Sequence, residues 1–214
     1  VILPDGPREQ GLPATVWHGA GEGLSQALGG GPDEDPAVVS ARLTAHHRTD
    51  VVVLRRTGPG TLVAELLDVA VPSGWDPRER AGASLTQLHD PVGDNSRLQA
   101  AAPAIAEMIL TRGPYEMFVW GLQADGRLAR WPGEQLWPAD PRHWWLRVER
   151  QVTVPLAHLQ RALFWLRPSV NRVDSLPPEQ QQRLLAAVSS MSQAHLDYKG
   201  LPADAARLLA AALR

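Results

Sequence analysis

Between Asp50 and Val71 the chain carries two apolar runs, Val51-Val52-Val53-Leu54 and Leu62 to Val71, separated by Gly58-Pro59-Gly60. β-Branched runs broken by Gly and Pro predict two antiparallel strands joined by a hairpin, and Pro72 ends the second. Further on, Arg147 to Val154 alternates strictly. Period-two geometry sends Arg147, Glu149, Gln151 and Thr153 to one face and Val148, Arg150, Val152 and Val154 to the other, so one face is polar for four positions running. Strands are also predicted over Tyr115 to Gln123 and over Arg161 to Arg167. Ala124-Asp125-Gly126 reads as a turn, and Arg127 to Arg130 as the start of a returning strand.

Helical signals fill the intervals. Asp76-Pro77-Arg78-Glu79 supplies an N-cap, a first-turn proline and an acidic residue for a short helix reaching about Leu88, which leaves His89 just past its end. Asp94 or Ser96 can cap a longer helix through Leu98, Ile105, Met108 and Ile109, weakened by Pro103 and closed by Gly113-Pro114. Pro177-Pro178-Glu179 opens a helix toward Ser192, and Ala203 to Leu213 has the Ala, Leu and Arg content of another. The Trp-rich, Pro-broken stretch from Trp131 to Trp145 reads as an ordered loop over the core.

Residues 1–36 are rich in Gly and Pro without sustained periodicity, which predicts an extended or poorly ordered lead-in. Residues 37–214 then form a single domain. Five or six mostly antiparallel strands and four helices make an α+β fold, a sheet with helices on one side.

With 44% hydrophobic and 21% charged residues in 214, this is the composition of an ordinary soluble fold. A net charge of -2 provides no footprint for phosphate backbones or anionic lipid, so neither nucleic acid nor membrane is an expected partner. Having no cysteine removes disulfides, zinc–thiolate and iron–sulfur ligation, and thiolate-ligated haem. Any metal must use histidine or oxygen. No signal peptide is visible, and a cytoplasmic location is the expectation.

The usual catalytic fingerprints are missing: there is no P-loop, no G-x-S-x-G and no H-E-x-x-H. The adjacent His46 and His47 would point their rings apart in regular structure, which disfavours a shared metal. His89 precedes Asp90-Pro91-Val92 on stiffened backbone, where it can serve as a partner of the helix dipole, a satisfied core residue or a metal ligand. Glu149-Arg150-Gln151 suits cross-strand ion pairing or the lining of a polar cleft.

Six blocks stand in a distinctive order: Val71-Pro72-Ser73-Gly74-Trp75, Glu79-Arg80-Ala81-Gly82, Leu88-His89-Asp90-Pro91-Val92, Leu146-Arg147-Val148-Glu149-Arg150-Gln151, Leu163-Phe164-Trp165-Leu166-Arg167 and Tyr198-Lys199-Gly200-Leu201. Together they resemble the haem-dependent oxidative N-demethylases, the alpha subunit of dimethylamine monooxygenase, over about Val51 to Leu201. The resemblance implies a PAS-like antiparallel sheet flanked by helices. It also implies a haem b, and O₂ used to oxidise the methyl carbon of a small amine. Electrons would come from an NADPH-dependent flavin and iron–sulfur reductase subunit.

Carried over by position, the resemblance makes His89 the axial iron ligand and sets Gln151 and Arg150 in catalytic roles. Arg150, Arg167, Trp75 and Trp120 are further contacts to the cofactor. This chain departs from the family pattern at Val119, Val152, Pro168, Ser169 and around Val53 and Leu54, where polar groups are replaced. Haem binding is therefore expected to outlast turnover, and a non-enzymatic haem or ligand sensor is the alternative reading.

Overall fold

The computed structural model describes residues 14–17, 23–36, 38–40, 42, 49–133 and 135–213. His46 and His47 lie outside the described residues. Six strands, β1 (Ala14–Trp17), β2 (Asp50–Gly58), β3 (Thr61–Val69), β4 (Tyr115–Gln123), β5 (Trp145–Leu156) and β6 (Arg161–Arg172), form one sheet. Their order is β1-β3-β2-β6-β5-β4, antiparallel throughout. Helices α1 (Leu24–Ala27), α2 (Leu85–His89), α3 (Ser96–Thr111), α4 (Pro178–Ser189), α5 (Gln193–Tyr198) and α6 (Ala205–Ala212) surround it.

The predicted hairpin is present. Gly58 pairs with Thr61, and the turn uses Gly60 at φ 63°, a conformation that favours glycine. A Cβ at Gly60 would come within 2.7 Å of Pro103, so α3 lies directly against the turn. Pro103 sits within α3 without ending it.

Alternation along the strands divides the core between the two faces of the sheet. On one face Val52, Leu54, Leu67 and Ala162 are buried against Ala106 and Leu110 of α3, with Trp75, Leu88, Phe164 and Leu166 packed around them. On the other face Val51, Val53, Leu66 and Leu163 meet Leu28 and Val39. A third cluster, around Leu122, Trp144, Leu184, Val188 and Leu209, fastens the C-terminal helices. Trp144 is fully buried and its indole donates to the Pro138 carbonyl at 2.8 Å, as a buried Trp requires. Helices thus flank both faces, where one-sided packing was expected.

Five further local readings are corrected. The segment before His89 is a 3₁₀ turn, Pro77–Glu79, followed by a separate α2, because Gly82 turns at φ 78° and Ser84 with Gln87 forms a capping box for a new helix. His89 is the last residue of α2. The N-cap position of α3 is Asn95, whose side chain turns back to the His89 carbonyl at 2.8 Å, so neither Asp94 nor Ser96 caps it. Arg127 to Arg130 forms no strand, and only Arg130 makes an isolated bridge, to Ser73. Within the lead-in, β1 pairs with β3, and Ser25 and Leu28 are buried. A four-residue strand amid Gly and Pro carries no readable period.

Candidate functional site

The register places the polar row of β5 on the face of the sheet that packs against α3. Thr153 lies opposite Phe164, and Gln151 opposite Leu166; both partners pack around the α3 core. Asp50 also pairs with Leu166, and Met117 with Gln151, so Asp50, Leu166, Gln151 and Met117 form one row across four strands. The next row holds Val119, Glu149 and Pro168.

Charge on this face is tightly organised. Arg147 donates from Nε to Glu149 at 3.0 Å, from Nη2 to the Val71 carbonyl at 2.8 Å, and from Nη1 to the Leu128 carbonyl. The other oxygen of Glu149 accepts from Gln151 Nε2 at 3.3 Å. A carboxylate accepts and does not donate, so the amide nitrogen of Gln151 must face Glu149 and its Oε1 is turned away from it. Gln151 therefore offers an acceptor to whatever lies above the sheet.

Asp50 is 3% exposed and accepts from the Ala70 N–H at 2.9 Å. Burial raises its pKa from 3.8 to about 7, against the opposing pull of the Ala70 and Val71 amides and Arg147. Because the folded value lies above the unfolded one, the folded state holds a proton that the unfolded chain has lost across roughly pH 4 to 7. The stability this contributes is complete below the unfolded value and disappears as pH rises through the folded one. Urea midpoints of the wild type are expected to fall between pH 5 and pH 7.5 through this group. Asp50→Asn keeps an acceptor for Ala70 and should flatten that slope; an unchanged slope would assign the dependence elsewhere.

His89 is half-buried at the end of α2, and its Nδ1 lies 2.7 Å from the Leu85 carbonyl. A carbonyl only accepts, so Nδ1 carries a hydrogen, and in the neutral ring Nε2 then keeps its lone pair. That neutral tautomer is the one in which a histidine can bind a metal through Nε2, with the outer hydrogen bond that orients such rings.

The turn after His89 is locked to α5. A Cβ on Gly93 would meet the Ala194 carbonyl at 2.4 Å, and Ser192 donates its hydroxyl to Asp94. Beside this junction opens a cavity of about 560 Å³, lined by Asp94, Phe118, Val119, Trp120, Met191, His195 and Lys199 among others. That volume lies within the roughly 300–1,000 Å³ usual for small-molecule and cofactor sites. Lys199 donates to the Trp120 carbonyl at 2.7 Å and stands 5.5 Å from the centre of its ring. His89 and Gln151 are not among the lining residues.

The structure brings only some of the expected residues together. Gln151 lies on the face that packs against α3, and Trp75 packs beside Leu88 in the core under α2 and α3. Arg150 and Arg167 pair with each other across β5 and β6 and, by alternation, point to the opposite face. Arg150 there bonds Glu116, and both arginines are exposed. Trp120 sits on that second face as well, half-buried against the C-terminal cluster at the cavity wall.

Four residues of this region carry little signal of a site in the sequence: Asp50, Arg130, His195 and Lys199. Asp50 merely precedes an apolar run, Arg130 reads as strand, and His195 falls in an unremarked helix. Lys199 does stand in the Tyr198-Lys199-Gly200-Leu201 block.

Met117 and Val119 are 54% and 41% exposed beside Gln151 and Glu149. Among the described residues, the imidazole of His89, its Nδ1 tied to the Leu85 carbonyl, is a donor of the type that could hold the iron of a cofactor. Among the described residues no helix is long and apolar enough to cross a membrane. No curated protein matches the chain. A family model does match, over residues 23–209, and by it the chain belongs to the family described as haem-dependent oxidative N-demethylase, alpha subunit-like.

Proposed function

We propose that this protein holds a haem b on the α2 and α3 side of its sheet, through His89, and uses it with O₂ to oxidise a small amine. The observation that carries this reading is the hydrogen bond from His89 Nδ1 to Leu85, which leaves Nε2 available as a ligand. The family description supports the haem and the oxidative N-demethylase class. A PAS-like reading of the fold is supported by the way the hairpin strand β2 and the last strand β6 pair in the middle of the sheet, with α2 and α3 inserted between β3 and β4.

When bound, the haem supplies reductive activation of O₂. The chain's own residues do the rest. Leu85 fixes the His89 ring and makes it a better donor. Trp75, Leu88, Phe164 and Leu166 form an apolar wall that limits water. Arg147 holds Glu149, and Glu149 holds Gln151 so that Oε1 can accept from the N–H of an amine. The alpha-subunit description also supports a separate subunit as electron source.

The test is reconstitution. Haemin added to purified protein should give a saturable Soret band at one haem per chain. With NADPH, a flavin and iron–sulfur reductase, O₂ and dimethylamine, formaldehyde should then accumulate. Gas binding without turnover would instead mark a haem sensor, and no Soret band would end the proposal.

A further inference from the structure

Arg130 is the unexplained charge of this region. It is half-buried, its Nε is buried with no hydrogen-bond partner in the structure, and its Nη2 reaches only the Ser73 carbonyl, at 3.3 Å. Most arginines here have a carboxylate within ion-pair distance, as Arg78, Arg127, Arg142, Arg147 and Arg161 do; no such pair involves Arg130 among the described residues. Asp125 and Glu149 act on it through space, but Asp125 is bonded to Arg127 and Glu149 to Arg147. Arg147 adds like charge, and burial and this neighbour together depress the Arg130 pKa. Burying part of a guanidinium without a partner costs stability, and an anion held there would offset that cost.

The backbone around it is built for this placement. Arg130 donates its N–H to the Pro72 carbonyl at 2.8 Å and accepts from the Gly74 N–H at 2.6 Å. Gly74 turns at φ 84°, and a Cβ there would stand 2.8 Å from Nη2 and 3.0 Å from Cζ of Arg130. The guanidinium thus occupies the space that a side chain at position 74 would fill, next to Trp75. Arg147 ties the same two loops to the sheet through Val71 and Leu128.

We propose that Arg130 is the carboxylate anchor of the site, seated over Gly74 to receive the carboxylate arm of a bound molecule. The planar fork of arginine suits that group in a two-point contact. Two sources share this chemistry: a haem propionate, which rests on the function proposed above, and a free small carboxylate, which does not.

Esterification separates them. Haem and haem dimethyl ester differ only in the two carboxylates, so titration by Soret absorbance should show wild type preferring haem by about tenfold to a hundredfold, the range of a charge-assisted pair. Arg130→Gln should bring that ratio close to one, and Arg130→Lys should leave it intermediate. In parallel, the melting temperature of the haem-free protein is followed against sodium acetate at constant ionic strength. A rise in wild type that Arg130→Gln abolishes, with no preference for haem over its ester, assigns the anchor to a free carboxylate.

If no haem binds at all, the proposed function fails while the acetate series still decides the role of Arg130. A haem preference or an acetate response that survives in Arg130→Gln overturns the anchor. So does the absence of both effects in wild type. Without ligand, Arg130→Gln should melt no lower than wild type; a drop of several degrees would make the guanidinium a structural brace and overturn the proposal as well.

Discussion

His89→Ala is expected to weaken haem binding by at least a hundredfold and to change the spectrum of any haem that remains. Loss of an outer-shell partner in a metal site costs about 10- to 100-fold in affinity, and loss of the ligand itself must cost more. The fold should survive, because the ring is half-buried and its only hydrogen bond is to the Leu85 carbonyl, one turn back in the same helix. Free imidazole should then restore a histidine-like spectrum by entering the space left behind. His195→Ala is the informative companion, since His195 lines the cavity and His89 does not. If the axial signature follows His195 and not His89, the ligand belongs to α5, and the reading based on the Leu85 hydrogen bond is wrong.

Arg147→Leu should produce the largest loss of stability. The residue is 4% exposed, and its guanidinium satisfies Glu149 and the carbonyls of Val71 and Leu128 at once. Removing one partner of a buried ion pair costs about 3–5 kcal/mol, because the other charge stays buried and alone. For a chain of this length that corresponds to a fall in melting temperature of roughly 10 °C. Arg147→Leu with Glu149→Leu should recover a measurable part of the loss, which a double-mutant cycle by urea denaturation will read. Full additivity of the two changes would show that the pair is not coupled. The single variant should also loosen the Trp75 loop and release Gln151, so haem or ligand affinity should fall together with stability.

What could be read before folding was set by period and punctuation. The hairpin at Gly58-Pro59-Gly60 and the alternation of Arg147 to Thr153 are local properties, and both stand in the structure. The hydrogen bonds joining Arg147, Glu149 and Gln151 follow from that alternation. Arg150 and Gln151 are neighbours in one sequence block, yet adjacent residues on a strand point to opposite faces. The separation of Arg150 and Arg167 from Gln151 was therefore implicit in the same pattern that located the polar row. Arg130 was not legible at all. Its importance comes from Gly74, 56 positions earlier, which meets it only through a single bridge between two loops. Asp50 was hidden for a similar reason, since nothing local distinguishes a strand-opening aspartate in water from one buried under Ala70.

Lys199 is the sole lysine in the sequence, and its Nζ sits on the Trp120 carbonyl at the rim of the cavity. Reductive methylation with labelled formaldehyde would therefore place one pair of NMR-visible methyl groups on a side chain at the cavity wall, distinguishable from any tag on the chain terminus. Chemical shifts from that single reporter would follow ligand entry without substituting any residue.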